Sequence, residues 1–391
     1  MARICMLVTS EYHRDPRVQK EAKLAHEAGH EVTVICRSYE GETMPYRVVT
    51  FDTQRRSNRG FKYLERVSSI VLLVHHTLAN HPDIIHANDL DTLPAGYIAS
   101  RLCGAKLLYD SHELWTEMAD IGSVGKKVAL FIEKFICRRA DIVVAVNRYR
   151  AQIMAQLHDI PEPLVVMNTP FYVAPDLLMP GDWTTPFKQC GKRIVLYQGG
   201  YSKSMGLSEA IMAANYLPEN IVLVFRGFGP AEDEMKSLIK SEGLSERVVI
   251  IPPVSMNAMV ISAVGADLGL ALYKPVNQNN LYAAPNKVFE YMMAGVPCVG
   301  SDLPYIREIL CSCGVGEVFR PGDSQDMARV ICELLDTPEK LEVMKKRCLD
   351  QASQFCWEAE GAKLLKAYDQ IFNDSSKTHT QVGKNESITL N

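Results

Sequence analysis

The sequence predicts an α/β protein built from two doubly wound halves, each a parallel sheet with helices on both faces. Short apolar runs of strand length alternate with amphipathic segments of helical spacing along most of the chain. A stretch rich in Pro, Gly and Thr, 171–192, has no periodicity and separates two such series. The length of 391 residues suits two or three domains.

The first half opens with the apolar run RICMLVT at 3–9, which is typical of a strand buried on both faces. Helical spacing over 15–28 and a second strand at 31–36 complete a βαβ unit, which requires a parallel sheet. The alternation then predicts strands at 83–86, 106–110, 141–146 and 164–167, and helices at 92–102 and 126–139.

The second half repeats the pattern, and two helices within 338–368 follow it. Its predicted strands are 193–198, 221–225, 247–251, 268–272 and 296–300, and its helices are 207–214, 231–242, 286–294 and 324–335. The polar segment 374–391 is predicted to be disordered. Ligands of open parallel sheets bind at the carboxyl ends of strands, so two joined halves predict a cleft lined by the residues after strands.

The composition excludes several classes of protein. Lys and Arg number 42 against 46 Asp and Glu, and the net charge of −4 argues against a dedicated nucleic-acid binder. The 11 cysteines are scattered and include no CxxC pair, which predicts reduced thiols in the cytoplasm and no zinc site. No apolar stretch reaches the roughly 18 residues of a membrane span.

A glycine turn follows the first strand of the second half. Gly199 and Gly200 come between that strand and a helix, where bare backbone amides can hold a phosphate. Lys203 adds a positive charge to the same turn. A turn without any ligand is the alternative interpretation.

A second glycine turn follows the next strand. Arg226, Gly227 and Gly229 resemble part of a dinucleotide fingerprint that lacks its third glycine. A plain turn explains this pattern equally well. A dinucleotide-dependent oxidoreductase is disfavoured, because no G-x-G-x-x-G follows the first strand of the chain.

The helix at 286–294 begins with Asn286 and Lys287 and carries Glu290 one turn later. An amide, a cation and a carboxylate at a helix start suit a phosphorylated, hydroxyl-rich ligand, since a carboxylate accepts hydrogen bonds from a pair of ribose hydroxyls. The alternative is a surface pairing of two residues four positions apart. His112 ends a strand and is a candidate ligand contact or a structural histidine.

Two segments of the first half are basic. Residues 55–66 hold five basic residues against one acidic, and residues 126–150 hold seven against two. Apolar residues such as Phe61, Phe131 and Phe135 lie among them. The pattern favours peripheral contact with an anionic membrane, and solvated helix faces are the alternative.

The ordered set of motifs resembles the retaining GT-B nucleotide-sugar glycosyltransferases of glycosyltransferase family 4 (glycosyl transferases group 1). The resemblance spans about residues 3 to 370. It is carried by DPRVQKEAKLAHEAGHEVTVI, HANDLDTLPAG, KLLYDSHELWTE, ADIVVAVN, VLYQGGYSKSMGL, FRGFGP, PNKVFEYMMAGVPCVGSDLP and FCWE.

The resemblance implies a GT-B fold with two Rossmann-like domains facing a central cleft. It implies an acceptor domain at 1–175, a donor domain at 190–350 and a helix at 351–373 that crosses back to the first domain. Family members transfer a sugar from a nucleotide diphosphate with retained configuration and need no metal or other cofactor. Glu290 would then hold the donor ribose, His112 would lie near the transferred sugar, and Asn286 would line the donor site.

The sequence departs from the family pattern at the diphosphate. Tyr282 stands where the family usually has a second glutamate, and Gly200 and Met205 stand where it usually has a basic pair. Lys203, Arg226 and Lys287 therefore remain as candidate cations, and Lys287 is favoured because it lies at a helix start.

We therefore expect a cytoplasmic enzyme that glycosylates a cell-surface polysaccharide or a lipid-linked acceptor, with peripheral contact at the inner face of the membrane. A catalytically silent GT-B scaffold is one alternative, and a GT-B nucleotide-sugar epimerase or hydrolase is another.

Overall fold

In the computed structural model the chain divides into two compact units. Unit 1 comprises Met1–Met167 and Gly361–Asn391, and unit 2 comprises Asn168–Glu360. The structure describes residues 1–51, 59–114 and 122–385, and it describes their side chains except at 59–64 and 374–385.

Unit 1 contains one parallel sheet. Its strands are β1 (Arg3–Leu7), β2 (Glu31–Cys36), β3 (Arg47–Thr50), β4 (Ile84–Asn88), β5 (Lys106–Ser111), β6 (Ile142–Ala145) and β7 (Leu164–Val165). Their order in the sheet is β3-β2-β1-β4-β5-β6-β7. The helices are α1 (Pro16–Glu27), α2 (Arg59–Ala79), α3 (Asp89–Cys103), α4 (Ser123–Cys137) and α5 (Arg148–His158).

Unit 2 also contains one parallel sheet. Its helices are α6 (Thr185–Gln189), α7 (Leu207–Ala213), α8 (Glu232–Ser241), α9 (Met259–Ala263), α10 (Gln278–Leu281), α11 (Asn286–Met293), α12 (Pro304–Arg307), α13 (Ser324–Leu335) and α14 (Pro338–Ala352). Its strands are β8 (Arg193–Gly200), β9 (Ile221–Phe228), β10 (Val248–Ile251), β11 (Leu268–Ala271), β12 (Cys298–Ser301) and β13 (Gly316–Phe319). They are ordered β10-β9-β8-β11-β12-β13.

The last helix, α15 (Trp357–Asn385), contributes to unit 1 from Gly361 onward. The backbone of 374–385 is helical, where the sequence predicts disorder, and 386–391 lie outside the described residues. A polar segment can extend a helix that is already formed, because propagation costs less than nucleation. No helix in the described part of the chain is both long and apolar enough to cross a bilayer.

The parallel sheets explain where the polar residues of each unit gather. The strands are apolar and buried in the middle of each sheet, as in β1 and β8. In unit 1, the polar side chains of Asp89 and His112 follow strands at the carboxyl edge of the sheet. In unit 2, the paired strands β8 and β9 end at this edge with Gly200 and Phe228. The candidate site residues are therefore found at these two edges.

Candidate functional site

The two glycine turns of unit 2 are the ends of neighbouring strands. β8 and β9 stay in parallel register as far as Gly199 beside Gly227 and Gly200 beside Phe228. Gly227 has φ +156°, and a side chain there would overlap the carbonyl oxygen of Gly199. A Cβ atom on Gly229 would overlap the carbonyl oxygen of Tyr201. Close backbone approach thus requires glycine at 227 and 229, whatever else these residues do.

Lys287 is buried beside this strand end. Its Nζ lies 3.3 Å from the hydroxyl of Tyr197 and 4.4 Å from the centre of that ring, with the Tyr273 ring centre at 5.3 Å. A Cβ atom on Gly199 would be 3.4 Å from the same nitrogen. Lys287 is only 8% exposed and forms no ion pair with a carboxylate among the described residues. A buried ammonium without a counter-charge is costly, so the site favours an anionic ligand.

Arg226 is a second buried cation at the same edge. Its Nη1 donates to the backbone oxygen of Ser262 at 2.6 Å, and its guanidinium carbon lies 4.4 Å from the ring centre of Trp183. Its Nε has no hydrogen-bond partner in the part of the chain that the structure describes. Burial lowers the pKa of Arg226, because desolvation disfavours the charged form. Arg226 thus also has capacity for an anion.

Glu290 lies in the interior and not on the surface. Its Oε2 accepts a hydrogen bond of 3.0 Å from Nε2 of Gln198, which also donates to the backbone oxygen of Met259 at 3.1 Å. Glu290 is 8% exposed, and every residue of α11 after Asn286 is buried. This burial contradicts the alternative of a surface pairing between Asn286 and Glu290.

The other predicted residues of unit 2 differ in burial and in their partners. Lys203 is exposed and its Nζ forms an ion pair with Glu234 at 2.6 Å, so its charge is already matched. Tyr282 follows α10 and is half-buried, and Asn286 begins α11. The carbonyl oxygen of Gly200 accepts a hydrogen bond from the Tyr197 hydroxyl at 2.8 Å.

His112 in unit 1 lies between two carboxylates. Its Nδ1 is 3.4 Å from Oδ2 of Asp89, and its Nε2 is 3.5 Å from Oδ2 of Asp110. The backbone N–H of His112 donates to Oδ1 of Asp89 at 2.9 Å. Burial disfavours the imidazolium, but the two negative charges outweigh it and hold the pKa of His112 well above its ordinary value. The histidine is therefore held in its charged form.

A fully buried charged cluster supports Asp110. Arg17 donates from Nη2 and from Nε to Oδ2 of Asp110, at 2.7 and 3.2 Å, and its Nε lies 3.0 Å from Oε1 of Glu21. His86 Nδ1 lies 2.7 Å from the hydroxyl of Tyr368. Burial raises the pKa of Glu21 to about 8, whereas the charge of Arg17 outweighs burial and holds the pKa of Asp110 well below its ordinary range.

Sequence reasoning did not single out this cluster. Arg17 and Asp89 lie in the stretches after β1 and β4 that are predicted to line a cleft, but the sequence does not show what they contact. Glu21, His86 and Asp110 lie within a helix or a strand, where the sequence gives no sign of a polar partner.

Three members of this region could in principle hold a metal ion. One donor atom from each of Glu21, Asp110 and His112 lies within 4.8 Å of the others. Arg17 already contacts both carboxylates, so a guanidinium supplies the positive charge at this position. The donor set therefore fits a divalent cation poorly.

These sheets and edges define a class of protein. Both units are parallel-sheet α/β structures, and together they match GT-B glycosyltransferase structures. Residues 15–169 match the family model of a glycosyl transferase 4-like domain, and residues 186–349 match that of the glycosyl transferases group 1. The chain belongs to the group 1 glycosyltransferases.

Several known proteins are similar to the chain. The alpha-D-kanosaminyltransferase of Streptomyces kanamyceticus is 24% identical over 296 residues, which cover 70% of this chain and 73% of that protein. The structure of sucrose-phosphate synthase from Thermosynechococcus elongatus has a TM-score of 0.77 at 16% identity and covers 96% of this chain and 100% of that one. Anabaena HepE in complex with UDP-glucose has a TM-score of 0.75 at 18% identity, covering 95% and 100%.

Proposed function

We propose that the chain transfers a sugar from a nucleotide-diphosphate donor to its acceptor with retention of configuration and without a metal ion. The observation that carries this proposal is Lys287, a buried ammonium with no carboxylate partner among the described residues. Departure of a nucleotide diphosphate builds negative charge, which is best stabilised by cations already fixed in a dry site. The complex of HepE with UDP-glucose supports a donor of this type.

Each unit 2 residue takes a role that its position allows. Lys287 and Arg226 bind the diphosphate, together with backbone amides at Gly199, Gly200 and the start of α11. Glu290, fixed by Gln198, accepts hydrogen bonds from the ribose.

The other predicted residues of unit 2 have smaller roles at the donor site. Asn286 and Tyr282 line the donor site beside α11. Gly227 and Gly229 let the strand ends approach, and Lys203 contributes little because its charge is exposed and paired with Glu234.

His112 is our proposed contact to the transferred sugar. An imidazolium held by Asp89 and Asp110 presents a fixed positive charge at the carboxyl edge of its sheet. A charge that acts mainly in the transition state changes turnover more than affinity. We therefore expect His112→Ala to lower kcat while the affinity for UDP stays within about twofold of wild type.

For the acceptor we propose a cell-surface polysaccharide precursor or a lipid-linked glycan, reached from the cytoplasm by peripheral membrane contact. Helix α4 supports this, because Phe131 and Phe135 are exposed on it among Lys126, Lys127 and Lys134. Of the other basic segment, 52–58 and the side chains of 59–64 lie outside the described residues.

The decisive experiment follows one donor through binding and transfer. UDP and a panel of nucleotide sugars are titrated into the protein by calorimetry, and transfer is followed by nucleotide release with and without a glycolipid acceptor. We expect the donor to bind with micromolar affinity and the nucleotide to be released only when acceptor is present, whether or not EDTA is added. The NMR spectrum of the glycoside product should show the same anomeric configuration as the donor. Failure to bind any nucleotide would favour the silent scaffold. Nucleotide release without a new glycoside would favour a hydrolase, and conversion to a different nucleotide sugar without net release would favour an epimerase.

A further inference from the structure

Unit 1 contains a cavity of about 690 Å³ that none of the roles above uses. Three helices, α2, α3 and α4, supply its apolar wall. The aliphatic lining residues are Ile70, Leu90, Pro94, Val124, Val128 and Ile132. The volume lies within the range of about 300–1,000 Å³ that small-molecule sites have.

Three of the polar lining residues lie at the carboxyl edge of the sheet. Thr9 follows β1, Arg37 follows β2, and Asp91 lies in the first turn of α3, directly after β4. Arg37 is bound to Glu65 at 3.0 Å, and Thr9 is hydrogen-bonded to Asp91. The cavity thus combines an aliphatic wall of helices with a polar end where the strands finish.

The lining chemistry identifies the kind of ligand. None of the described lining residues is aromatic, whereas sugar rings and bases are commonly stacked on aromatic faces. Arg66 lines the cavity, and Lys126 and Lys127 lie on α4 next to lining residues; none of these three forms an ion pair with a described residue. An aliphatic wall beside unmatched positive charge suits a hydrocarbon chain with an anionic head.

We propose that this cavity binds the aliphatic chain of an amphiphilic acceptor, whose anionic head contacts Arg66 and the lysines at the start of α4. The inference rests on the proposed function in naming the ligand as the acceptor. The exposed apolar residues of α4 continue the aliphatic surface outward, since Val128 lines the cavity and is also 52% exposed. An acyl or prenyl chain could therefore pass from a membrane to the cavity along this helix.

The test uses hexyl, octyl and decyl phosphate at monomeric concentrations, titrated into the full chain by calorimetry. Burial of one methylene is worth about 0.8 kcal/mol, or roughly fourfold in affinity, so decyl phosphate should bind at least about tenfold more tightly than hexyl phosphate. Inorganic phosphate should bind more weakly than all three. An affinity independent of chain length would overturn the proposal.

Substitutions in the cavity wall test whether the alkyl chain of the ligand binds inside the cavity. Val128→Trp fills it from a half-exposed position and should weaken decyl phosphate at least tenfold. Val71→Trp is the matched control, because Val71 is 60% exposed on α2 and does not line the cavity. Gly125→Leu fills the cavity from the same helix and removes a poor helix former, which provides a second test if Val128→Trp does not fold. Equal losses in Val71→Trp and Val128→Trp would overturn the assignment.

Two further measurements distinguish ligand binding in the cavity from membrane binding and from donor binding. Phe131→Ser should reduce binding to phosphatidylglycerol vesicles while the affinity for decyl phosphate is kept, because Phe131 is 71% exposed and outside the cavity. UDP titration of the same proteins tests the donor site alone. A protein that binds UDP but binds no alkyl phosphate would refute only the proposal for the cavity. A protein that binds alkyl phosphates but not UDP would refute the proposed donor.

Discussion

The two units treat buried positive charge in opposite ways. In unit 1, Arg17 lies between Asp110 and Glu21, and His112 lies between two carboxylates. In unit 2, Lys287 and Arg226 are also buried but pair with no carboxylate among the described residues. The first arrangement has its counter-charges within the unit, whereas we propose that an anion from outside supplies them in the second.

The largest effect on this contrast should come from Asp110→Asn. The change leaves the guanidinium of Arg17 buried without its main counter-charge, which typically costs about 3–5 kcal/mol of unfolding free energy. Urea unfolding of the full chain measures the loss. Asp159→Asn is the control, because Asp159 pairs with Arg138 on the surface of the same unit, where an ion pair contributes about 1 kcal/mol or less. Equal losses would show that Arg17 does not depend on Asp110.

Lys287→Met should have the reverse profile. Removing a buried charge that has no carboxylate partner among the described residues should leave the urea midpoint unchanged or raise it. The affinity for UDP should fall about 10- to 150-fold, since a hydrogen bond to a charged group is worth about 1.5–3 kcal/mol. Lys203→Met, which removes an exposed and already paired lysine, should change the affinity less than about twofold. Loss of stability with normal UDP binding would make Lys287 a structural residue.

Glu290→Gln divides the donor site into its two parts. Glutamine can still accept the hydrogen bond from Gln198, so folding should be unaffected. UDP should bind about tenfold more weakly, because ribose hydroxyls lose a charged acceptor, while inorganic pyrophosphate should bind as in wild type. In Lys287→Met both ligands should weaken. Calorimetry with the two ligands decides, and an equal loss for pyrophosphate in Glu290→Gln would place the carboxylate elsewhere.

The smallest expected effect is the pH dependence due to His112. Its pKa in the folded protein is raised above the ordinary value of the unfolded chain. The stabilisation that it contributes is therefore full below about pH 6.5 and is lost as the pH rises through the raised pKa. The difference in unfolding free energy between wild type and His112→Gln should be larger at pH 6 than at pH 9. A difference that grows with pH would contradict the charged form.

Much of the fold could be predicted because the central strands are continuous apolar runs. β1, β2, β8 and β9 have this character and were predicted. β3 was not, because this edge strand of four residues is only partly buried and carries no such run. Helix α2 is also absent from the predicted elements.

The candidate site could be predicted residue by residue but not as a set of contacts. Lys287 and Glu290 could be predicted because they lie in the first turns of a helix that follows a strand. Their partners Tyr197 and Gln198 lie about 90 positions earlier, and only the order of the strands brings them near. The same reason applies to Asp89 and His112, which are in contact because β4 and β5 are neighbours in the sheet.

The hydroxyl of Tyr368 reaches the buried ring of His86 across 282 positions of the sequence. A ribosome therefore completes the whole of unit 2 before it delivers the residue that closes the polar interior of unit 1. Until then the sheet of unit 1 lacks its last helix, and the charged residues in its interior lack the contact from Tyr368. The order of synthesis is thus the reverse of the order of completion: the half that emerges first is the half that finishes last.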